Sequence, residues 1–232
     1  MQLIWDGIRD AVVLLIRMDG QVLDAATRSV WVSAVAVGLA TLVGLPLGTL
    51  LARTAFPARG IVVLLCRAGM AFPTVFIGIV CYALFARRGP LGALELLYTP
   101  WVIVCGEFLL AVPMITSLTH GAIKVLGPRV GETARTLGAR PLFRWRTYLS
   151  EARVGVTLAV LTAFSRCVTE LGIAMMVGGN IHHRTRTLAT ATALETAKGE
   201  FARGLAMSLI LLAIALAATV GIVYLGREDQ PE

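Results

Sequence analysis

The chain has 232 residues, 57% hydrophobic and 15% charged, with a formal net charge of +7. A soluble domain carries roughly a quarter charged residues; a mean hydropathy of +0.79 and several apolar runs of about 20 residues exclude that class in favour of a membrane protein. The basic excess lies mostly in the connections and forms no aromatic-interleaved tract, which points to lipid headgroups, acidic partners or an anion and not to nucleic acid.

In chain order, residues 3–18 are apolar but too short and too charged to span. Leu3, Ile4, Ile8, Val12, Leu15 and Ile16 approximate one helical face, so residues 1–20 read as an interfacial amphipathic helix. A failed sixth span is the competing reading. Asp6, Arg9 and Asp10 interrupt the stretch and no basic leader precedes it, unlike a cleavable signal.

A first span is predicted over 29–52. Ala40, Gly44 and Gly48 recur every four residues. They are either a close-packing face for another helix or the ordinary glycine content of membrane helices; Pro46 is expected to bend the span. A second span covers 60–86, with Arg67 inside it and a break at Gly69–Pro73. A central charge costs about 2.5–3.5 kcal/mol on insertion scales, so Arg67 must snorkel, pair or face water. A third span over 100–119 holds Glu107, a possible partner for Arg67, and Pro113.

Residues 120–152 form the longest polar interval between apolar spans, with Lys124, Arg129, Arg135, Arg140, Arg144 and Arg146 against Glu132 and Glu151. A short helix is predicted at its centre. Gly127-Pro128 can open it, because proline lacks a donor the first turn leaves unpaired. Val130, Ala134 and Leu137 would form its apolar stripe, and Gly138 can close it. Two readings stand: a helix made to enter a groove on another protein, or a basic loop that holds topology.

The fourth span, over 153–178, carries Arg166 and Glu170 one helical turn apart. They form either an inward polar stripe bordering a cavity or subunit contact, or a buried pair that fixes packing. Met175 and Met176 are adaptable apolar side chains, equally suited to a constriction or to packing. The segment to about 203 is polar and threonine-rich, with a short amphipathic helix predicted over Thr187–Thr196. A last span runs over 204–225. His182-His183 lacks a ligand set, and Cys66, Cys81, Cys105 and Cys167 lie inside apolar spans without metal spacing, so neither metal nor cofactor is expected. The basic residues divide almost evenly between the two sides, so the positive-inside rule does not choose an orientation. The predicted spans contain no HExxH, paired aspartates or histidine, which disfavours an intramembrane enzyme. A passive scaffold leaves Arg166–Glu170 and the short helix unexplained.

GETARTLG followed by RWRTYLSEAR resembles the cytoplasmic loop of importer-type ABC permeases. Glu132, Ala134 and Gly138 match that family's pattern, while Thr133 replaces an alanine and Tyr148-Leu149-Ser150-Glu151 stands where the wider family has Ile-x-Leu-Pro. AMMVGGNI, TRTL, the TALET run and KGEF, with VGLPLG at 43–48, resemble the permeases of tungstate ABC importers. His182, His183 and Arg184 depart from that branch, which more often has one basic residue there.

The resemblance implies an all-α, polytopic type I importer permease: a single transmembrane domain over 1–232, with residues 1–20 interfacial and a five-span core over 29–226. It implies a homodimer in the inner (plasma) membrane, docked on a cytoplasmic ABC ATPase and served by an extracytoplasmic oxyanion-binding protein. It places the loop 120–152 inside, with Glu132, Ala134, Leu137 and Gly138 coupling to the ATPase. Asn180, Arg184, Arg186 and Thr187 would face the binding protein, and Arg67, Arg166, Glu170, Met175 and Met176 the path. The substrate implied is tungstate first, then molybdate, phosphate or sulfate. ATP hydrolysis would belong to the partner, since the chain has no phosphate-binding glycine loop.

Overall fold

Each of the five predicted spans is helical over most of its length in the computed structural model, which describes residues 20–227 together with Trp5, Ile8, Arg9, Val12 and Val13. The interfacial helix expected over 1–20 thus falls largely outside the described residues; those five are helical and exposed. The helices are α1 (Gly20–Arg53), α2 (Arg59–Gly69), α3 (Thr74–Phe85), α4 (Pro100–Val125), α5 (Arg129–Thr136), α6 (Pro141–Glu151), α7 (Arg153–Val168), α8 (Leu188–Ala197) and α9 (Phe201–Arg227). A 3-10 turn covers Gly92–Leu94 and a π-helical turn covers Ala174–Gly178.

Among the described residues α1, α4 and the Phe201–Gly221 part of α9 are long and apolar enough to cross a membrane, and α2 and α3 are so only together, as a pair bent by 101° in the manner of a broken span or a re-entrant loop. The break falls at the predicted Gly69–Pro73, since proline at the head of α3 cannot continue a helix. The run 153–178 is also interrupted. The 16 residues of α7 rise about 24 Å, short of a hydrocarbon core of about 30 Å. Helix resumes after Leu171 and ends in the π-helical turn. Helix α4 extends six residues beyond the predicted 119, so His120 and Lys124 belong to it and the polar connection starts at Leu126.

The chain forms two compact units, Met1–Ala36, Pro73–Glu107 and Ser165–Ala217 in the first, and Val37–Phe72, Phe108–Phe164 and Ala218–Glu232 in the second. In the first, Leu188 and Ala191 of α8 bury against Val22 and Ala25 of α1 and Met207 of α9. Helix α8 is therefore not amphipathic, as the sequence led us to expect, but a core element: Leu188, Ala189, Thr190, Ala191 and Glu195 are all buried. Trp31 and Trp101 meet edge to face at 5.4 Å and stay exposed, as aromatic side chains do at a membrane–water boundary.

In the second unit the small-residue face of α1 does what its spacing permits. A Cβ on Gly44 would lie 2.8 Å from Ile115 Cγ2, and one on Gly48 would lie 2.8 Å from the Thr116 carbonyl oxygen. Of the two readings of Ala40, Gly44 and Gly48, close packing is the one realised, with α4 as the partner. Gly69 meets Pro113 and Gly155 meets Ala122, so glycine also sets the approach of α2 and α7 to α4.

Candidate functional site: a capped surface helix, a polar helix break and a polar loop

Helix α5 has eight residues, too few to persist without packing. Both ends are fixed locally. Pro128 stands at the N-cap, and Gly127 before it has φ +66°. At the other end Gly138 takes φ +73°, its N–H donates to Arg135 O at 2.9 Å, and the Ala139 N–H donates to Ala134 O at 2.9 Å. This is a Schellman closure, which needs a left-handed residue and favours glycine. Gly131 and Ala134 are buried, Gly131 facing the Tyr148 hydroxyl of α6. Leu137 was expected on the same stripe as Ala134. Because the helix stops at Thr136, Leu137 leaves that face and is 81% exposed. Ala134 therefore packs inside its own chain, while Leu137 and the exposed Glu132 form the outward surface. The carboxylate of Glu132 sits in the first turn, where the helix dipole favours it.

Arg53, at the end of α1, joins this helix to the spans. Its Nη1 donates to Gly127 O and its Nη2 to Ile123 O, both at 2.7 Å. Its guanidinium lies over the Tyr148 ring, 4.4 Å from the centroid. One planar fork thus occupies a carbonyl in the last turn of α4 and one in the connection after it, and stacks on the residue that Gly131 packs against. A cavity of about 460 Å³ opens beside the joint, with Leu50, Arg53, Arg135, Trp145 and Tyr148 among its walls. The sequence reading missed Arg53, Gly131 and Tyr148; the available signal was an arginine ending a span beside a glycine-bounded helix.

The second feature is the interruption after α7. Arg166 Nη1 donates to Glu170 Oε2 at 2.7 Å, with the two side chains 41% and 2% exposed. Glu170 Oε1 accepts from the Gly172 N–H at 2.8 Å and the Ile173 N–H at 3.3 Å. The expected pair is present, but Glu170 has left the helix and caps the next turn. A buried carboxylate fits here because one cation and two backbone amides meet it. Met175 and Met176 follow in the π-helical turn, 42% and 36% exposed; Met176 lies against Gly78 of α3. Glu107 belongs to the same unit, 2% exposed with Oε2 unpartnered. Arg67 lies in the other unit, exposed, on a cavity shared with Arg59, His120 and Lys124.

The third feature is the loop after Gly179. Asn180 has φ 51° and its Nδ2 donates to Thr190 O at 3.3 Å. Thr185 ties the turn together, donating to Gly178 O at 2.6 Å and accepting from the Ile181 N–H at 2.9 Å. Thr187 is buried and caps α8 through a reciprocal pair with Thr190, which gives it a structural role. Arg184 is exposed and Arg186 half-buried. Arg28 anchors the loop to α1, donating to His183 O at 3.0 Å and pairing with Asp24 at 2.9 Å. Desolvation, then the neighbouring His183 and Arg186, hold His182 below the ordinary imidazole range. Among the described residues no three His, Cys, Asp or Glu side chains converge as a metal-ligand set.

No family model matches the chain. The fold resembles an inward-facing conformation of the MetNI methionine ABC transporter, with a TM-score of 0.75 at 17% identity, covering 93% of this chain and 99% of that one. The fold is thus the one seen in that transporter. The chain is 37% identical over 212 residues to the tungstate uptake system permease protein TupB of Campylobacter jejuni, covering 91% of this chain and 89% of the relative. It is 34% identical over 228 residues to the protein of the same name from Peptoclostridium acidaminophilum, covering 98% and 100%. The chain belongs to this family of ABC importer permeases.

Proposed function

We propose that this chain is the membrane-spanning subunit of an inner-membrane importer for a tetrahedral oxyanion, tungstate in the first place, with molybdate, sulfate or phosphate as alternative cargo. Two copies would form the pathway, a cytoplasmic ABC ATPase would drive it, and an extracytoplasmic binding protein would deliver the ion near Asn180, Arg184 and Arg186. The observation that carries the coupling is the joint at Arg53. The outward surface of α5 is Glu132, Arg135 and Leu137, and one guanidinium at the end of α1 bonds the last turn of α4, the connection just before α5 and the Tyr148 ring against which Gly131 of α5 packs, a route by which a push on α5 would reach α1 and α4. Glu132, Leu137 and Gly138 are the coupling residues; Ala134, buried, serves by seating the helix.

Arg166, Glu170, Met175 and Met176 line the pathway in this reading. A dianion needs positive potential on its route without a deep trap. A half-exposed guanidinium partly neutralised by Glu170 supplies that, and two exposed methionines beside it give an adaptable apolar constriction.

The test is ATP-driven tungstate accumulation in proteoliposomes containing the chain, its ATPase and the binding protein. Uptake should require all three, and the chain alone should hydrolyse no ATP. The Glu132→Lys variant reverses the charge on the outward surface of α5; hydrolysis should no longer respond to loaded binding protein and uptake should fall to background. Unchanged substrate-stimulated hydrolysis with full uptake in that variant would defeat the coupling role.

A further inference from the structure

Three cations and a histidine surround a cavity of about 240 Å³ between α2 and the end of α4: Arg59, Arg67, Lys124 and His120, with Gly60 and Val63 completing the lining. No carboxylate lines it. His120 is 3% exposed, and neither Nδ1 nor Nε2 has a hydrogen-bond partner. A buried imidazole with both nitrogens unmatched is costly, since the desolvation of its polar atoms is not returned. The three cations repel one another as well, less strongly because Arg67 and Lys124 are exposed and only Arg59 is half-buried.

Both costs vanish with one kind of ligand. It must be anionic, must present several hydrogen-bond acceptors, and must be small. A water molecule's share of liquid volume is about 30 Å³, so the cavity takes a group of a few heavy atoms. A central atom with four oxygens fits that description, and its oxygens can accept from two guanidinium groups, an ammonium and an imidazole together. Arg59 is already fixed in position, its Nε donating to Leu51 O at 2.6 Å. We propose that Arg59, Arg67, His120 and Lys124 form a binding site for a tetrahedral oxyanion, either free in solution or as the phosphate of an anionic lipid headgroup. The proposal deepens the oxyanion-importer reading and rests on it for the free ion. It adds a holding point on the α2–α4 edge, separate from Arg166 and Glu170. Lys124 lies one residue before the end of α4 and five before α5 begins, so the ion would sit at the same end of α4 as the coupling helix.

The chain has three histidines, which makes His120 a residue-specific reporter. The full chain, with a histidine-free tag and His182→Gln and His183→Gln, is labelled with 15N-histidine and placed in nanodiscs. In phosphatidylcholine discs, sodium tungstate should shift the His120 ring nitrogens saturably, and Arg67→Ala or Lys124→Ala should weaken the response about tenfold, the loss of one charge-assisted hydrogen bond. A shift on replacing phosphatidylcholine by phosphatidylglycerol, with no further response to tungstate, would support the site and name the headgroup as its source. No response to tungstate or to phosphatidylglycerol overturns the site, as does a response undiminished in both variants. The two proposals fail separately: a silent His120 beside normal tungstate uptake removes only this site, whereas a responding His120 without uptake of any oxyanion removes only the transport function.

Discussion

Replacing Glu170 by alanine removes the acceptor of three hydrogen bonds, those from Arg166, Gly172 and Ile173. Two amides and a guanidinium lose their partner, so we expect a loss of about 2–4 kcal/mol and a lower unfolding temperature in detergent. Arg166→Ala is milder for folding, about 1–2 kcal/mol, because two amides still meet the carboxylate. On the pathway reading it should nonetheless abolish uptake. Thermal unfolding and uptake measured on both variants separate the roles: an Arg166→Ala protein that transports normally would leave the pair purely structural. The pairing was legible from the i, i+4 spacing, but the helix break was not. VTELG holds no proline, and only the folded chain turns the carboxylate back onto the amides of Gly172 and Ile173. Thr187 illustrates the opposite limit: nothing in its sequence neighbourhood announced the reciprocal cap that its hydroxyl makes with Thr190.

At the scale of elements, glycine placement decides how closely helices approach. A methyl group on Gly48 would enter the space of the Thr116 carbonyl and the Thr119 side chain. Backbone cannot yield as a flexible side chain can, so Gly48→Ala should cost about 1–3 kcal/mol and Gly48→Leu should prevent stable insertion. Detergent-extracted yield and unfolding temperature are the readouts, and a Gly48→Leu chain of normal stability would contradict the α1–α4 packing. Gly138 is the matching case on the surface. Gly138→Val puts a β-branched side chain at φ +73°, opening the Schellman closure at a cost of about 1–2 kcal/mol. Since α5 is peripheral, global unfolding should change little while ATPase coupling is lost; equal losses in both would assign Gly138 to the core. The small-residue stripe and the glycine and proline at the ends of α5 were readable because they act locally. The outward turn of Leu137 and the buried face of α8 were not, because each depends on where a helix stops or what packs over it.

At the scale of the whole molecule, composition alone required a membrane protein, and the apolar runs located its helices. Two of those runs are interrupted, at Met70–Pro73 and Thr169–Leu171, and both breaks adjoin residues proposed to handle the anion. The importer architecture rests on the fold likeness and on the tungstate-uptake relatives, while the direction of coupling rests on α5. Its surface can be probed directly by replacing Leu137, 81% exposed, with cysteine and treating oriented membrane vesicles with a membrane-impermeant maleimide. The account predicts no labelling in right-side-out vesicles, ready labelling in inside-out vesicles, and protection there when the ATPase subunit is bound. Labelling from the outside, or labelling indifferent to the ATPase, would contradict it.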